Sequence, residues 1–204
     1  MKMSGIIKTI KDPWHLVIAL SQRGLLDHLS DKTYLKLNYR ARLGRKLDLE
    51  NPQTFNEKLQ DSKDMPKIVT VDDEKSIKRY GGSQMLIAPP LEYNELMSQI
   101  PEGKLITITE IRESLAKKHG AEFTCPLTAG IFISLAAKAS CERETDRIPF
   151  WRTLKSGGEL NPKYPGGIEY QKKMLDAEGF TFTTKGRKNI RYFVEDYEEH
   201  LYEF

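Results

Sequence analysis

Residues Ile148–Gly179, IPFWRTLKSGGELNPKYPGGIEYQKKMLDAEG, decide how this chain is interpreted. The stretch opens with two aromatic residues, Phe150 and Trp151, between a proline and an arginine. A loop rich in proline and glycine follows and ends in Gly166-Gly167. The stretch contains no cysteine and no histidine. It therefore lacks the residue types that form a thiolate with a neighbouring base.

This stretch resembles the active-site segment of the O6-alkylguanine-DNA alkyltransferases. In that family a Pro-Cys-His-Arg core supplies the thiolate that removes an alkyl group from guanine, and a Gly-Gly turn opens a helix that ends in Glu-Gly. Pro149 and Arg152 match the core, but Phe150 stands at the cysteine position and Trp151 at the histidine position. Because an aromatic ring cannot replace a thiolate, we expect no enzymatic activity. The pattern is similar to that of the alkyltransferase-like proteins, which bind alkylated DNA without repairing it.

Length and composition are those of a folded globular protein. The chain has 204 residues, of which 39% are hydrophobic and 30% are charged, and these values suit one medium domain or a smaller domain with an appended segment. The net charge of +3 permits contact with a polyanion but does not identify one. A nucleic-acid partner therefore has to be inferred from motifs.

Cysteine and histidine usage argues against disulfide and metal frameworks. Cys125 and Cys141 are too few for a disulfide scaffold, and the four histidines do not stand near them at metal-ligand spacing. The apolar runs 16–20 and 131–137 are much shorter than the roughly 20 residues that span a bilayer. We expect a cytoplasmic monomer without a cofactor, a metal or a transmembrane segment.

Residues 1–60 differ in character from the rest and are predicted to form a basic helical extension. Their stretches 31–37, 43–47 and 51–60 resemble the opening of ATP-grasp-type polysaccharide-biosynthesis proteins, but the nucleotide-binding part of that family is missing. The extension is interpreted as a truncated fragment, joined near 59–66 to a second module. We predict a connecting segment with short strands over 61–90 and an alkyltransferase-like DNA-binding domain over 91–204.

Local patterns predict the elements of the second module. Residues 67–71 and 85–88 have strand character, and 91–100 have helical spacing. Thr107 and Glu110 fit a capping box for a helix that ends at His119-Gly120. Residues 126–140 are rich in Ala, Gly and Ser, which is typical of a helix packed closely against its neighbour. The last two helices are a helix-turn-helix candidate.

The C-terminal part predicts a basic hairpin. Residues 180–184 and 189–194 alternate as strands do, and Lys185-Gly-Arg-Lys188 forms the turn between them. The hairpin resembles a wing, and residues 195–204 are expected to close the chain as a short helix. The predicted fold is thus α-rich α/β, a winged helix-turn-helix module of alkyltransferase type with an N-terminal helical extension.

The resemblance and the charge pattern together predict a DNA-binding surface. Phe150 and Trp151 would stack on a flipped or unpaired base, Arg152 would hold the loop or a phosphate, and the hairpin would contact phosphates. The partners implied are double-stranded DNA with alkylated guanine and other repair proteins. The predicted DNA-binding residues are Thr128, Pro149, Phe150, Trp151, Arg152, Tyr164, Gly166, Gly167, Lys185, Arg187, Lys188 and Arg191.

Alternative interpretations remain open at the sequence level. Phe150 and Trp151 could be core aromatics, Arg152 a buried anchor, and the basic turn a solvated loop. Two family positions are also replaced, because Ile108 stands where the family has a phosphate-rotating tyrosine and Thr128 near its gap-filling arginine. These replacements favour a protein- or membrane-interaction module that keeps the fold without binding DNA. A third possibility places the function in residues 1–60, as a remnant of polysaccharide synthesis.

Overall fold

The computed structural model describes residues 53–204, and residues 54–204 form one compact unit. The predicted basic extension therefore lies outside the described residues, except for its last positions. Short helices and small sheets alternate along the unit, which confirms a mixed α/β fold. The helices are α1 (Phe55–Gln60), α2 (Glu74–Tyr80), α3 (Pro90–Ser98), α4 (Ile108–His119), α5 (Pro126–Glu142) and α6 (Gly167–Ala177). The strands are β1 (Lys67–Thr70), β2 (Gln84–Ile87), β3 (Ile106–Thr107), β4 (Phe123–Thr124), β5 (Thr153–Leu154), β6 (Phe182–Lys185) and β7 (Arg191–Val194).

The strands form three small sheets. In the first, β1 pairs antiparallel with β2, and β2 pairs parallel with β4. In the second, β3 pairs parallel with β5, and in the third, β6 and β7 form an antiparallel hairpin. Three 3-10 turns complete the fold, at Phe150–Arg152, Ser156–Gly158 and Tyr197–His200. The predicted strands and the predicted hairpin are confirmed.

Capping interactions fix both ends of α4. The Thr107 hydroxyl accepts a hydrogen bond from the backbone N–H of Thr109 at 3.1 Å, and the Glu110 carboxylate accepts one from the N–H of Thr107 at 2.8 Å. Gly120 ends the helix in the left-handed region, with φ of 67°, which a residue with a Cβ adopts at a cost. The capping box and the helix end are confirmed as predicted.

Helix α5 forms the centre of the unit. Small side chains let the neighbouring helices α1 and α3 approach it closely, which confirms the predicted close packing of this helix. Pro126 occupies its first turn, where a missing N–H costs nothing. Its buried residues are Ala129, Ile133, Ser134, Ala136, Ala137, Ala139, Ser140 and Cys141.

Helix α1 belongs to the compact unit, although the sequence places it in the extension. The Glu142 carboxylate at the end of α5 accepts hydrogen bonds from the backbone N–H groups of Phe55 and Asn56, both at 3.1 Å. The Asn56 amide donates to the Ala139 carbonyl at 3.0 Å, and Leu59 is buried. The structural boundary therefore lies at 53–54, before the joint that the change in sequence character suggests.

Two truncations test this boundary. A chain that starts at Thr54 should keep the stability of this unit, whereas a chain that starts at Asp61 should be less stable by at least about 1.5–3 kcal/mol, because Leu59 leaves its buried position. Urea unfolding followed by tryptophan fluorescence measures both. Equal unfolding midpoints for the two truncated chains would show that α1 is not part of the unit.

Candidate nucleic-acid interface

The N-terminal half of α5 presents an unusual surface. Leu127 and Ile131 stand one turn apart on the helix and are 72% and 55% exposed. Thr128 is half-buried, and its hydroxyl donates to the Cys125 carbonyl at 3.3 Å. The second helix of the predicted helix-turn-helix pair thus exposes two apolar side chains to solvent. None of the three residues Leu127, Thr128 and Ile131 carries a charge.

The β6–β7 hairpin concentrates positive charge. Lys185 and Arg191 lie directly opposite each other in the strand register, and Arg187 and Lys188 stand in the turn between them. All four residues are exposed. Gly186 shapes the turn with φ of 101°, and a Cβ there would collide with the Asn189 carbonyl oxygen. The hairpin therefore brings together the four basic residues that the sequence singled out.

Aromatic rings support the cations on both faces of the hairpin. The Lys185 ammonium lies 4.6 Å from the centroid of the Phe193 ring, and the Arg191 guanidinium lies 5.5 Å from it. On the opposite face, the Lys172 ammonium lies 5.5 Å from the Phe182 ring and 5.3 Å from the Tyr192 ring. Such cation–π contacts hold flexible side chains in place without neutralising their charge.

Carboxylates limit where an anion can approach the hairpin. Glu159 lies 3.5 Å from Arg191 and 2.6 Å from Lys155. A cavity of about 410 Å³ beside the hairpin includes Lys185 in its lining, but three acidic residues, Glu195, Asp196 and Glu198, line it as well. Phosphates would be repelled from that cavity, so the exposed turn is the better contact surface.

Phe150 is enclosed by other aromatic residues. It is 2% exposed, and its ring packs edge-on against Trp151 and Tyr164 and is stacked on Tyr170, with centroid distances of 5.7, 5.4 and 5.9 Å. In this structure the ring offers no face to a flipped base, in contrast to the predicted stacking role. The cause is the packing of three rings around it, and the alternative of a core aromatic describes it correctly.

Trp151 and Arg152 are held by one carboxylate at the end of α6. The Trp151 indole N–H donates to Glu178 Oε1 at 2.7 Å, and Arg152 Nε lies 3.0 Å from both Glu178 oxygens. Arg152 Nη1 also donates to the Ile100 carbonyl at 2.8 Å. With its guanidinium engaged in this way, Arg152 anchors the loop, and the predicted phosphate contact is not available to it.

The remaining loop residues of the predicted site are buried or half-buried and have structural roles. The Tyr164 hydroxyl donates to the Thr153 carbonyl at 3.0 Å, and burial raises the pKa of Tyr164. Gly166 has φ of 77°, and a Cβ there would collide with Tyr170, while Gly167 begins α6. Pro149 is half-buried and accepts the hydrogen bond of the 3-10 turn. These residues shape the loop beneath the surface.

Gln171 organises the loop, and the sequence did not reveal it. It is fully buried, and its amide donates to the carbonyls of Trp151 and Thr153 at 2.9 and 3.2 Å. Its carbonyl accepts from the backbone N–H of Asn161 at 2.7 Å. No local pattern marks this role, because all three partners are at least ten positions away in the chain.

Neither cysteine stands in the loop of residues 149–166, which we call the aromatic loop. Cys141 is buried in α5, and burial raises the pKa of its thiol to about 12. Cys125 is partly exposed at the start of the same helix.

Within residues 53–204, no cluster of histidine, cysteine and carboxylate groups could hold a metal ion. No helix in this same part of the chain is long and apolar enough to cross a membrane.

Thiol labelling tests the two cysteine environments. At about pH 8 a thiol with a pKa near 12 stays protonated and buried, so the folded protein should react with Ellman's reagent at Cys125 and far more slowly at Cys141. A Cys125→Ser variant isolates the slow thiol. Both thiols should react readily in denaturant, and equal rates in the folded protein would contradict the burial of Cys141.

Substitutions of the two residues that donate to the Glu178 carboxylate test its anchoring role. Arg152→Ala should destabilise the protein by about 3–5 kcal/mol, because it leaves a mostly buried carboxylate without its bidentate partner. Trp151→Phe removes only one neutral donor and should cost about 1–3 kcal/mol. Urea unfolding measures both values. An Arg152→Ala variant as stable as the wild type would exclude the anchor.

Comparison with known proteins gives a limited structural likeness. No family model and no curated protein matches the chain. Two crystal structures from S. pombe are similar, one of Atl1 in complex with damaged DNA containing O6-carboxymethylguanine and one of ATL in complex with DNA. Each is 21% identical to this chain and covers 56% of it and 94% of its own length, with TM-scores of 0.39 and 0.41. Both are alkyltransferase-like proteins, the branch that residues 148–179 resemble in sequence.

Proposed function

We propose that residues 54–204 bind double-stranded DNA as a non-enzymatic, alkyltransferase-like module. The observation that carries the proposal is the hairpin, on which Lys185 and Arg191 face each other and Arg187 and Lys188 extend the charge into the turn. In the proposed arrangement α4 and α5 act as the helix-turn-helix pair and the hairpin as its wing. The hairpin cations contact phosphates and position the duplex.

The register of the hairpin supports this role. Like charges directly opposite each other in an antiparallel pair are destabilising. Lys185 and Arg191 occupy such a pair. Within residues 53–204, Glu159 forms an ion pair with Arg191 at 3.5 Å, and no carboxylate pairs with Lys185. A bound phosphate would remove the repulsion that the folded hairpin contains. The arrangement is thus better suited to a polyanion than to water alone.

The aromatic loop supports the absence of alkyl transfer. By the resemblance of residues 148–179, Phe150 stands at the position of the acceptor cysteine, and its ring is sealed among other rings. Trp151, at the position of the histidine base, has its only polar hydrogen committed to Glu178. Cys141 is kept protonated by burial. No nucleophile with a base beside it stands at this loop, and we propose binding without chemistry.

Recognition of damage is the finer part of the proposal and rests on the resemblance of residues 148–179. We infer that the preferred duplex contains alkylated guanine, because a weakened base pair lowers the cost of extruding a base. Trp151, which remains partly exposed, is the aromatic residue of the loop that could meet such a base. Duplexes that differ only in one O6-methylguanine measure the preference, and tighter binding of the modified duplex is the expected result.

Salt-dependent titration tests DNA binding itself. Binding of labelled duplex should weaken steeply as salt rises, and Lys185→Ala/Arg187→Ala/Lys188→Ala should reduce the slope of log K against log salt by about 2.7, or about 0.9 for each lost contact. Lys75→Ala/Lys78→Ala/Lys104→Ala removes the same charge from exposed positions elsewhere and should leave the slope nearly unchanged. Undetectable or salt-insensitive binding by the wild type would reject the proposal.

Protein interaction is the second candidate function, and the exposed pair Leu127 and Ile131 favours it. Apolar side chains one turn apart on a helix are a common anchor for a partner protein. Under this alternative, Leu127→Ser/Ile131→Ser would abolish partner capture while the hairpin variant would not. DNA binding that depends on the hairpin separates the two candidates.

A further inference from the structure

Two lysines from distant parts of the chain lie over one aromatic ring, and the charge of a third acts on one of them. Lys58 comes from α1, Lys138 from α5, and Lys163 from the loop before α6. The ammonium groups of Lys58 and Lys138 lie 5.7 and 5.5 Å from the centroid of the same ring, that of Phe55. Burial, and then the charges of Lys163 and Lys58, lower the pKa of Lys138. We call these three residues the lysine cluster.

No acid balances the lysine cluster in the described part of the chain. None of its three ammonium groups forms an ion pair there. Glu142 lies one turn after Lys138 on α5, but its oxygens accept hydrogen bonds from the backbone of Phe55 and Asn56 and from the Asn56 amide. Like charges held together around a half-buried lysine repel one another, and a bound anion would relieve that repulsion.

Lys138 of the lysine cluster lies on the same face of α5 as the exposed apolar pair. Lys138 follows Leu127 by eleven residues, which at 100° per residue brings it back to within about 20° of the same direction. The rise of about 16 Å over this interval corresponds to about five base pairs of duplex. A rod-shaped polyanion that lies along this face would therefore meet Leu127 and Ile131 first and the lysine cluster further on.

We propose that the lysine cluster binds the phosphodiester backbone of a nucleic acid and extends the DNA footprint along α5, beyond the hairpin. This inference rests on the proposed function. The chemistry of the ligand is a phosphate diester with one negative charge, presented repeatedly along a rod. Two exposed apolar side chains give too little area for a stable membrane anchor, whereas they suit contact with the methyl groups of thymine in a groove.

A double variant of the full chain tests the proposal. Lys58→Ala/Lys163→Ala removes the two exposed members and spares the half-buried Lys138, so the fold is expected to survive. On a duplex of about 20 base pairs the slope of log K against log salt should fall by about 1.8. The control Lys75→Ala/Lys78→Ala removes the same charge from exposed positions of α2 and should leave the slope unchanged.

Duplex length gives a second readout. If the lysine cluster contacts the backbone about five base pairs beyond Leu127, shortening the duplex by that length at this end should remove the difference between the double variant and the wild type. The hairpin variant should still bind the short duplex more weakly than the wild type does. A difference that persists unchanged on the short duplex would overturn the proposed geometry.

The remaining outcomes separate this inference from the proposed function. A wild type that binds DNA through the hairpin, with an unchanged slope in Lys58→Ala/Lys163→Ala, overturns the lysine-cluster inference and leaves the proposed function intact. A wild type that binds no DNA removes both. Binding to vesicles of phosphatidylserine and phosphatidylcholine that requires the lysine cluster, without an effect on DNA, assigns the surface to lipid headgroups and overturns the inference.

Discussion

The contact of Glu178 with Trp151 and Arg152 is the interaction on which the aromatic loop depends. One carboxylate accepts from an indole N–H and from a guanidinium, and the same guanidinium donates to the Ile100 carbonyl. The contact thereby joins the end of α6, the 3-10 turn Phe150–Arg152 and the segment after α3. Because the pair is mostly buried, removal of either partner leaves an isolated charge, and the loop loses its position together with its stability.

Around this point, the loop is built as a core and not as a pocket wall. Phe150 fills the space among three rings, and Gln171 satisfies backbone groups on both sides of the loop. The Phe150 ring thus contributes packing. Exposed charge and exposed apolar side chains are found elsewhere, on the hairpin and along α5.

Most elements of the fold could be predicted from local sequence patterns. Thr107 with Glu110, Gly120 and the basic turn of the hairpin each specify a start, an end or a reversal within a few residues, and the structure has these features where the sequence predicts them. Helix α2 is not predicted from the sequence, because it follows the Asp73 cap without a single buried residue. Without an apolar stripe, a short helix gives no periodic signal.

Long-range contacts were the part that the sequence could not supply. The burial of Phe150 depends on Tyr164 and Tyr170, and the anchoring of Arg152 depends on Glu178, twenty-six positions away. The four hairpin cations could be found because they are adjacent in the chain. The lysine cluster could not, because its members are separated by eighty and twenty-five positions and meet only after α1 has docked on α5.

The docking of α1 determines where the chain can be divided into folding units. Its residues belong to the stretch that resembles the opening of a polysaccharide-biosynthesis protein, yet the helix covers Leu59 and contacts α5 through Glu142. The change in sequence character and the boundary of the compact unit therefore fall at different residues. A chain cut at 59–66, where the sequence changes in character, would therefore lose α1, which buries Leu59 and covers the end of α5.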